Sequence, residues 1–175
     1  MIVARKKRKE NIAEYLIYMW QIEDLIRAAR FDIDRIRRTL IDTCEQPEEV
    51  RQEITRWYEE LIEMMRSEGV MESGHIQLNK NVLINLTDLH LRLLKDPKET
   101  VYGALYYKTL PHIIHLRTKS GGIEMPELET CFTALYGYLL LRLQHREVHP
   151  ETLEAIKQIN TYLSYLAAKY REEEG

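Results

Sequence analysis

Apolar residues recur along this chain at intervals of three and four, the period of a helix with one covered face. Ile12, Tyr15, Leu16, Met19, Ile22, Ile26 and Ala29 make the first such stripe. The residues ahead of it mark its start: Asn11-Ile12-Ala13-Glu14 reads as a capping box. In that motif the Asn side chain accepts a free backbone N–H and the Glu reaches back. The pattern predicts a helix over 11–30. Ile17, Tyr18, Trp20 and Leu25 lie off the stripe, so more than one side of this helix is expected to be covered.

The same reading continues to the C-terminus. A short helix over 32–44 turns Ile33, Ile36 and Leu40 inward and Arg35, Arg37 and Arg38 outward. Pro47-Glu48-Glu49 opens a third, with proline in the first turn and acids against the positive helix end. Its stripe is Val50, Ile54, Trp57, Tyr58, Leu61, Met64 and Met65. Residues 69–74 read as a turn between two glycines. A fourth helix follows over 77–95, with Leu78, Val82, Leu86, Leu89 and Leu93 inward and so many further leucines that a central place is expected. The fifth spans 98–118 and is expected to break or kink at Pro111, which removes a backbone donor and crowds the preceding turn. Ser120-Gly121-Gly122 reads as a loop. Pro126 opens the sixth helix, with Leu128, Phe132, Leu135, Leu139 and Leu143 inward, and Pro150 opens the seventh, with Leu153, Ile156, Ile159, Leu163, Leu166 and Tyr170 inward. No segment alternates as a strand pair does. The expected fold is all-α: an antiparallel bundle or array of about seven helices with up-and-down connections. A solenoid of helical pairs ranks second, because no motif repeats.

Composition changes this picture at the N-terminus. Arg5-Lys6-Lys7-Arg8-Lys9 is a basic run that would oppose the positive end of the helix starting at Asn11. Residues 1–10 are therefore expected to be a basic arm, and 11–175 a single helical domain. The arm and the apolar run after it superficially look like a signal peptide, but Glu14 and Gln21 interrupt the run and no small-residue cleavage site follows. With 45% hydrophobic and 30% charged residues the chain is globular in composition. A net charge of -3 argues against a generally basic nucleic-acid binder. Two distant cysteines, Cys44 and Cys131, imply free thiols in a reducing compartment. No stretch is apolar enough to span a membrane, and a cytoplasmic protein is expected.

Several polar residues sit in apolar surroundings. Glu23 and Arg27 are four apart beside Trp20, and Asp88 and Arg92 are four apart on the most apolar helix, so each pair can meet along its helix. His90 lies on another side of that helix. Glu129 and Tyr136, seven apart, share a face of the sixth helix. A polar pocket lined by Trp20, Glu23, Arg27, Asp88, His90, Arg92, Glu129 and Tyr136 is the candidate site, although paired charges more often serve structure. His112 and His115 share a helix face but lack further ligands unless Glu124, Glu127 or Glu129 supplies them, so they are weak metal candidates and no cofactor is expected. Tyr102, Tyr106 and Tyr107 cluster ahead of Pro111, beside Lys108, Arg117 and Lys119. Half-wet tyrosines suit a protein interface, and aromatics among cations can also clamp bases. No phosphate loop, nucleophile elbow or CxxC motif is present.

Longer stretches carry a resemblance: residues 18–27 (YMWQIEDLIR), 86–94 (LTDLHLRLL), 107–111 (YKTLP) and 127–132 (ELETCF). Together they resemble an uncharacterised family of small helical proteins, a domain of unknown function typical of Bacteroidetes genomes, over nearly the whole chain. The resemblance implies a cytoplasmic bacterial protein and brings no activity, cofactor or catalytic residue with it. The expected function is therefore non-enzymatic: a helical protein that binds a protein partner or itself. A small-molecule pocket or enzyme inside the bundle is the alternative. Nucleic-acid binding through the basic arm, by contacts with phosphates, is the third reading.

Overall fold

The structure, a computed structural model, describes residues 2–119 and 125–174. Among them are eight α-helices and no strand: α1 (Ile2–Glu10), α2 (Ile12–Ala28), α3 (Ile33–Ile36), α4 (Glu48–Ser67), α5 (Gln77–Lys95), α6 (Thr100–Lys119), α7 (Glu127–Leu143) and α8 (Pro150–Glu174). The fold is all-α, as the periodicity predicts, with one helix more than expected. The loop expected over 120–122 lies outside the described residues, as does Glu124.

The additional helix is α1, where an arm was expected. The basic run ends a helix of its own and is not a tail ahead of α2. Lys7, Arg8 and Lys9 occupy the last turn of α1, where cations face the negative end of the helix. Ala4 is buried, and Lys7 reaches Glu14 at 3.2 Å, so α1 is packed on α2. Asn11 separates the two helices with an extended backbone and accepts the N–H groups of Ala13 and Glu14. Its own backbone N–H donates to the Lys7 carbonyl at 2.8 Å. Glu14 therefore meets the Asn11 side-chain amide at 3.4 Å instead of closing the expected box on the backbone.

Arg30 and Phe31 both take left-handed backbone conformations and end the α2 segment. Asp32 then caps α3 through the N–H groups of Asp34 and Arg35, and one π turn, Arg37–Ile41, extends it. At the end of α4, Gly69 sits at φ +70 and the Val70 N–H reaches the Met65 carbonyl at 3.0 Å. This is the left-handed termination that glycine supplies without a β-carbon penalty.

Two further expectations are corrected. α6 runs from Thr100 to Lys119 through Pro111, so no new helix begins there. Pro111 is on the exposed side, where water can satisfy the carbonyl its missing N–H leaves free. The central place belongs to α2, which packs against α1, α4, α5, α7 and α8. In α5, Val82, Leu86, Leu89 and Leu93 are buried, but Leu78, Ile84 and Leu91 face solvent. The core gathers around Leu16, Met19, Ile26, Ile36, Met65, Tyr102, Phe132 and Tyr162, all essentially inaccessible.

Candidate functional site

The eight residues expected to line one pocket divide among two buried clusters and the surface. The first cluster centres on Glu23, whose carboxylate is fully buried. A buried carboxylate requires donors, and three are present. Its Oε2 meets His75 Nδ1 at 2.5 Å. Its Oε1 accepts the Ile76 N–H at 3.0 Å and the Asn79 side-chain amide at 2.8 Å. Ile76 and Asn79 stand at the entry of α5, which has no side-chain cap of its own. Glu68 accepts the next N–H, that of Gln77. Two glutamates from elsewhere in the chain thus cap α5 at its positive end.

Trp20 covers this cluster. Its indole stacks on His75, with ring centroids 4.1 Å apart and planes 9° apart, and meets Tyr136 edge-on at 5.8 Å. Arg27 does not pair with Glu23. Its guanidinium donates to Asp24 at 2.7 Å and to the carbonyls of Val70 and Gly74, fastening the 69–74 loop to α2. Asp24 also accepts the Tyr136 hydroxyl at 2.5 Å. Burial, and then this bond to Asp24, push the Tyr136 phenol above its usual range. Trp20 Nε1, Arg27 Nε and Asn79 Oδ1 lack a partner among the described residues.

The second cluster centres on His90. Its Nδ1 lies 2.7 Å from the Tyr102 hydroxyl and 2.8 Å from that of Tyr162, and the two hydroxyls are 3.1 Å apart. Burial lowers the His90 pKa, and Glu127, whose carboxylate is 3.8 Å from Nε2, opposes that shift. Tyr106 donates to Glu127 at 2.9 Å. Desolvation and this carboxylate push the Tyr106 phenol up to about 12. Nearby Cys131 is buried, and its thiol is pushed up to about 12 by that burial, which makes it an inert core residue rather than a nucleophile.

The remaining candidates separate. Asp88 and Arg92 are exposed, and Arg92 makes a bidentate contact with Glu173 of α8 at 2.7 and 2.9 Å instead of pairing with Asp88. Glu129 stands with Glu127 in the first turn of α7, where an acid suits the dipole. The tyrosine segment does not form one surface: Tyr102 is fully buried, Tyr106 half-buried and Tyr107 68% exposed. His112 is half-buried and His115 exposed. No three His, Cys, Asp or Glu side chains are arranged to hold a metal ion among the described residues.

A feature that sequence reasoning missed is a groove of about 530 Å³ between α2, α7 and α8. Its walls are Ile17, Tyr18 and Gln21 of α2, Leu135, Leu139 and Arg142 of α7, and Leu153, Lys157 and Asn160 of α8. Each helix contributes one face. The α8 lining runs from Leu153 to Ser164, about 17 Å at 1.5 Å per residue. The groove exists because the α7 stripe is not inward along its length. Leu128 and Phe132 are buried, Leu135 and Leu139 are half-buried, and Leu143 is 61% exposed, which corrects the expectation for Leu143. The signal was present in the off-stripe residues of α2: Ile17 and Tyr18 cover part of this groove.

His75 and Asn79 were also missed. Neither belongs to a motif, and only the need of a buried Glu23 for donors could have found them. No helix among the described residues is long and apolar enough to cross a membrane. No curated protein and no solved structure matches the chain. The model of one family, described as a domain of unknown function (DUF4924), matches residues 1–175, and the chain belongs to that family.

Proposed function

We propose that the protein is a cytoplasmic, non-enzymatic interaction module that takes an amphipathic helix of a partner protein into the groove between α2, α7 and α8. The observation that carries the reading is the three-sided wall of helix faces around an apolar floor, about three helical turns long. That is the space one further helix of a bundle would fill, and helix-in-groove recognition uses such a floor. The rim favours an acidic occupant. Lys7 is already matched by Glu14, whereas Arg142 and Lys157 meet no carboxylate within 4 Å among the described residues.

The enzyme reading has weaker support. Glu23 holds His75 in the arrangement a general base uses, but the same carboxylate caps α5 and one face of the imidazole is covered by Trp20. Structure accounts for those contacts without a reaction.

Photo-crosslinking tests the proposal. A crosslinking residue placed at Leu139 should trap a protein in cell lysate, and the same residue at Ile84, exposed on the outer face of α5, should not. Arg142→Glu with Lys157→Glu should abolish the product. Equal trapping at both positions, or a product indifferent to the charge reversals, would overturn the reading. A product of twice the chain mass would make the occupant a second copy and count against a separate partner.

A further inference from the structure

A second groove, of about 800 Å³, lies between α1 and the last turns of α8. From α1 it takes Arg5, Arg8 and Lys9, at spacing i, i+3 and i+4, and Ile12 adds the first residue of α2. From α8 it takes Ala167, Tyr170, Arg171 and Glu174, at spacing i, i+3, i+4 and i+7. A face of α1 therefore lies opposite a face of α8. Lys6 completes the lining, so five cations meet one carboxylate among the described residues on a chain whose net charge is -3.

The structural roles of these cations do not use all of them. Complementing the α1 dipole explains basic residues in its last turn. Arg8 lies over the Tyr15 ring at 5.7 Å, Lys6 reaches Glu10 only at 3.9 Å, and Arg5 also faces Glu49, Glu53 and Glu60 of α4. Lys9 and Arg171, on opposite walls, have no carboxylate within 4 Å among the described residues. Because α1 is a packed helix and not a loose arm, the backbone carries these residues on facing walls. Like charges so placed raise the local concentration of anions.

We infer that the α1–α8 groove binds an anion carrying several phosphate groups. Arginine matches phosphate oxygens with two parallel donors, and lysine adds a point charge. Tyr170 gives the groove an aromatic wall on which a base can stack. A nucleic-acid backbone and a compact polyphosphate share this chemistry, and the two are separated by Tyr170.

The test uses the full chain, a fluorescein-labelled ten-nucleotide single-stranded RNA, and inorganic tripolyphosphate as competitor. RNA should bind at 50 mM salt and weaken with a log–log salt slope near about -3, the value for roughly four phosphate contacts. Tripolyphosphate should displace it. Lys9→Glu with Arg171→Glu should lower affinity at least about tenfold, since two contacts reverse sign. Lys157→Glu, in the other groove, should leave affinity unchanged. Tyr170→Ala weakening RNA but not tripolyphosphate assigns a nucleic-acid source, and equal affinity for both ligands in that variant assigns a compact polyphosphate. Absence of binding by both probes at 50 mM salt would overturn the inference. So would indifference to the double charge reversal in a variant that still melts cooperatively, or equal binding of a poly-glutamate peptide. These outcomes do not depend on the α2–α7–α8 groove.

Discussion

The two halves of α7 carry one apolar stripe and have opposite fates. In the first turns Leu128, Cys131 and Phe132 are buried, and Thr130 is buried with its hydroxyl on the Pro126 carbonyl at 2.9 Å. In the last turns Leu135 and Leu139 are half-covered and Leu143 is open. Periodicity is equally good in both halves, so it reports which face is apolar and not what covers it. The cover comes from the neighbours: α5 and α6 pack against α7, while the groove walled by α2 and α8 holds its later turns. An uncovered continuation of a core stripe is a different object from a scatter of exposed leucines, and it is the feature on which the proposed docking role rests.

Truncating the two halves should separate them most. Phe132→Ala removes a fully buried ring at the edge of Trp20 and should cost about 3–5 kcal/mol. Leu139→Ala should cost about 1 kcal/mol or less, because part of that side chain is wet before the change. Urea unfolding measures both. Equal losses would mean that the groove closes in solution and that the contrast between the halves does not exist.

Glu23→Ala is the next largest effect. It leaves His75, the Ile76 N–H and the Asn79 amide without their acceptor and should cost about 2–4 kcal/mol. Arg92→Ala, which removes an exposed ion pair with Glu173, should not be detectable in the same assay. Hydrogen exchange should show the loss from Glu23→Ala concentrated in the first turn of α5 and the 69–74 loop. A loss spread evenly over the molecule would contradict the capping role.

These clusters mark the limit of what the chain discloses before its structure is seen. Helix faces were legible because burial repeats every 3.6 residues: the whole α2 stripe from Ile12 to Ala29 is buried. Pairings across sequence were not. Glu23 and Arg27 have good i,i+4 spacing, yet each has better partners: His75, far along the chain, for Glu23, and neighbouring Asp24 for Arg27. Asp88 and Arg92 repeat the lesson, with Glu173 winning from α8. Local spacing ranks partners along one helix and is silent about a donor brought by a loop. The basic run of 5–9 misleads in another way: its sign opposes the start of the helix after it and suits the end of the helix it closes.

A smaller effect should appear with pH. His90 has a pKa below its usual 6.5 because it is buried, so between that lowered value and 6.5 the unfolded chain binds more protons than the folded one. Stability is then fully present above about pH 6.5, falls as pH drops below it, and stops falling once the folded-state pKa is passed. His90→Gln, which keeps polar atoms but cannot titrate, should flatten that limb of the profile. An unchanged acid limb in the variant would assign it to other groups. The tyrosines give the mirror image: Tyr102, Tyr106 and Tyr162 have raised pKa values, so stability holds up to about pH 10 and is lost above it.

The smallest change in stability is expected where the functional consequence is greatest. Leu143 is 61% exposed at the end of α7, so Leu143→Glu should shift unfolding by no more than about 0.5 kcal/mol, the range for surface positions. A core residue on the same stripe could not accept a carboxylate at that cost. Stability and the proposed binding are therefore expected to part company along a single helix. If α7 projects its last turns toward a partner, Leu143→Glu should leave the melting curve in place while reducing the crosslinked product formed at Leu139, and Leu143→Met should preserve both. A Leu143→Glu protein that unfolds as readily as Phe132→Ala would instead show that the whole stripe is core and that the two halves of α7 do the same work.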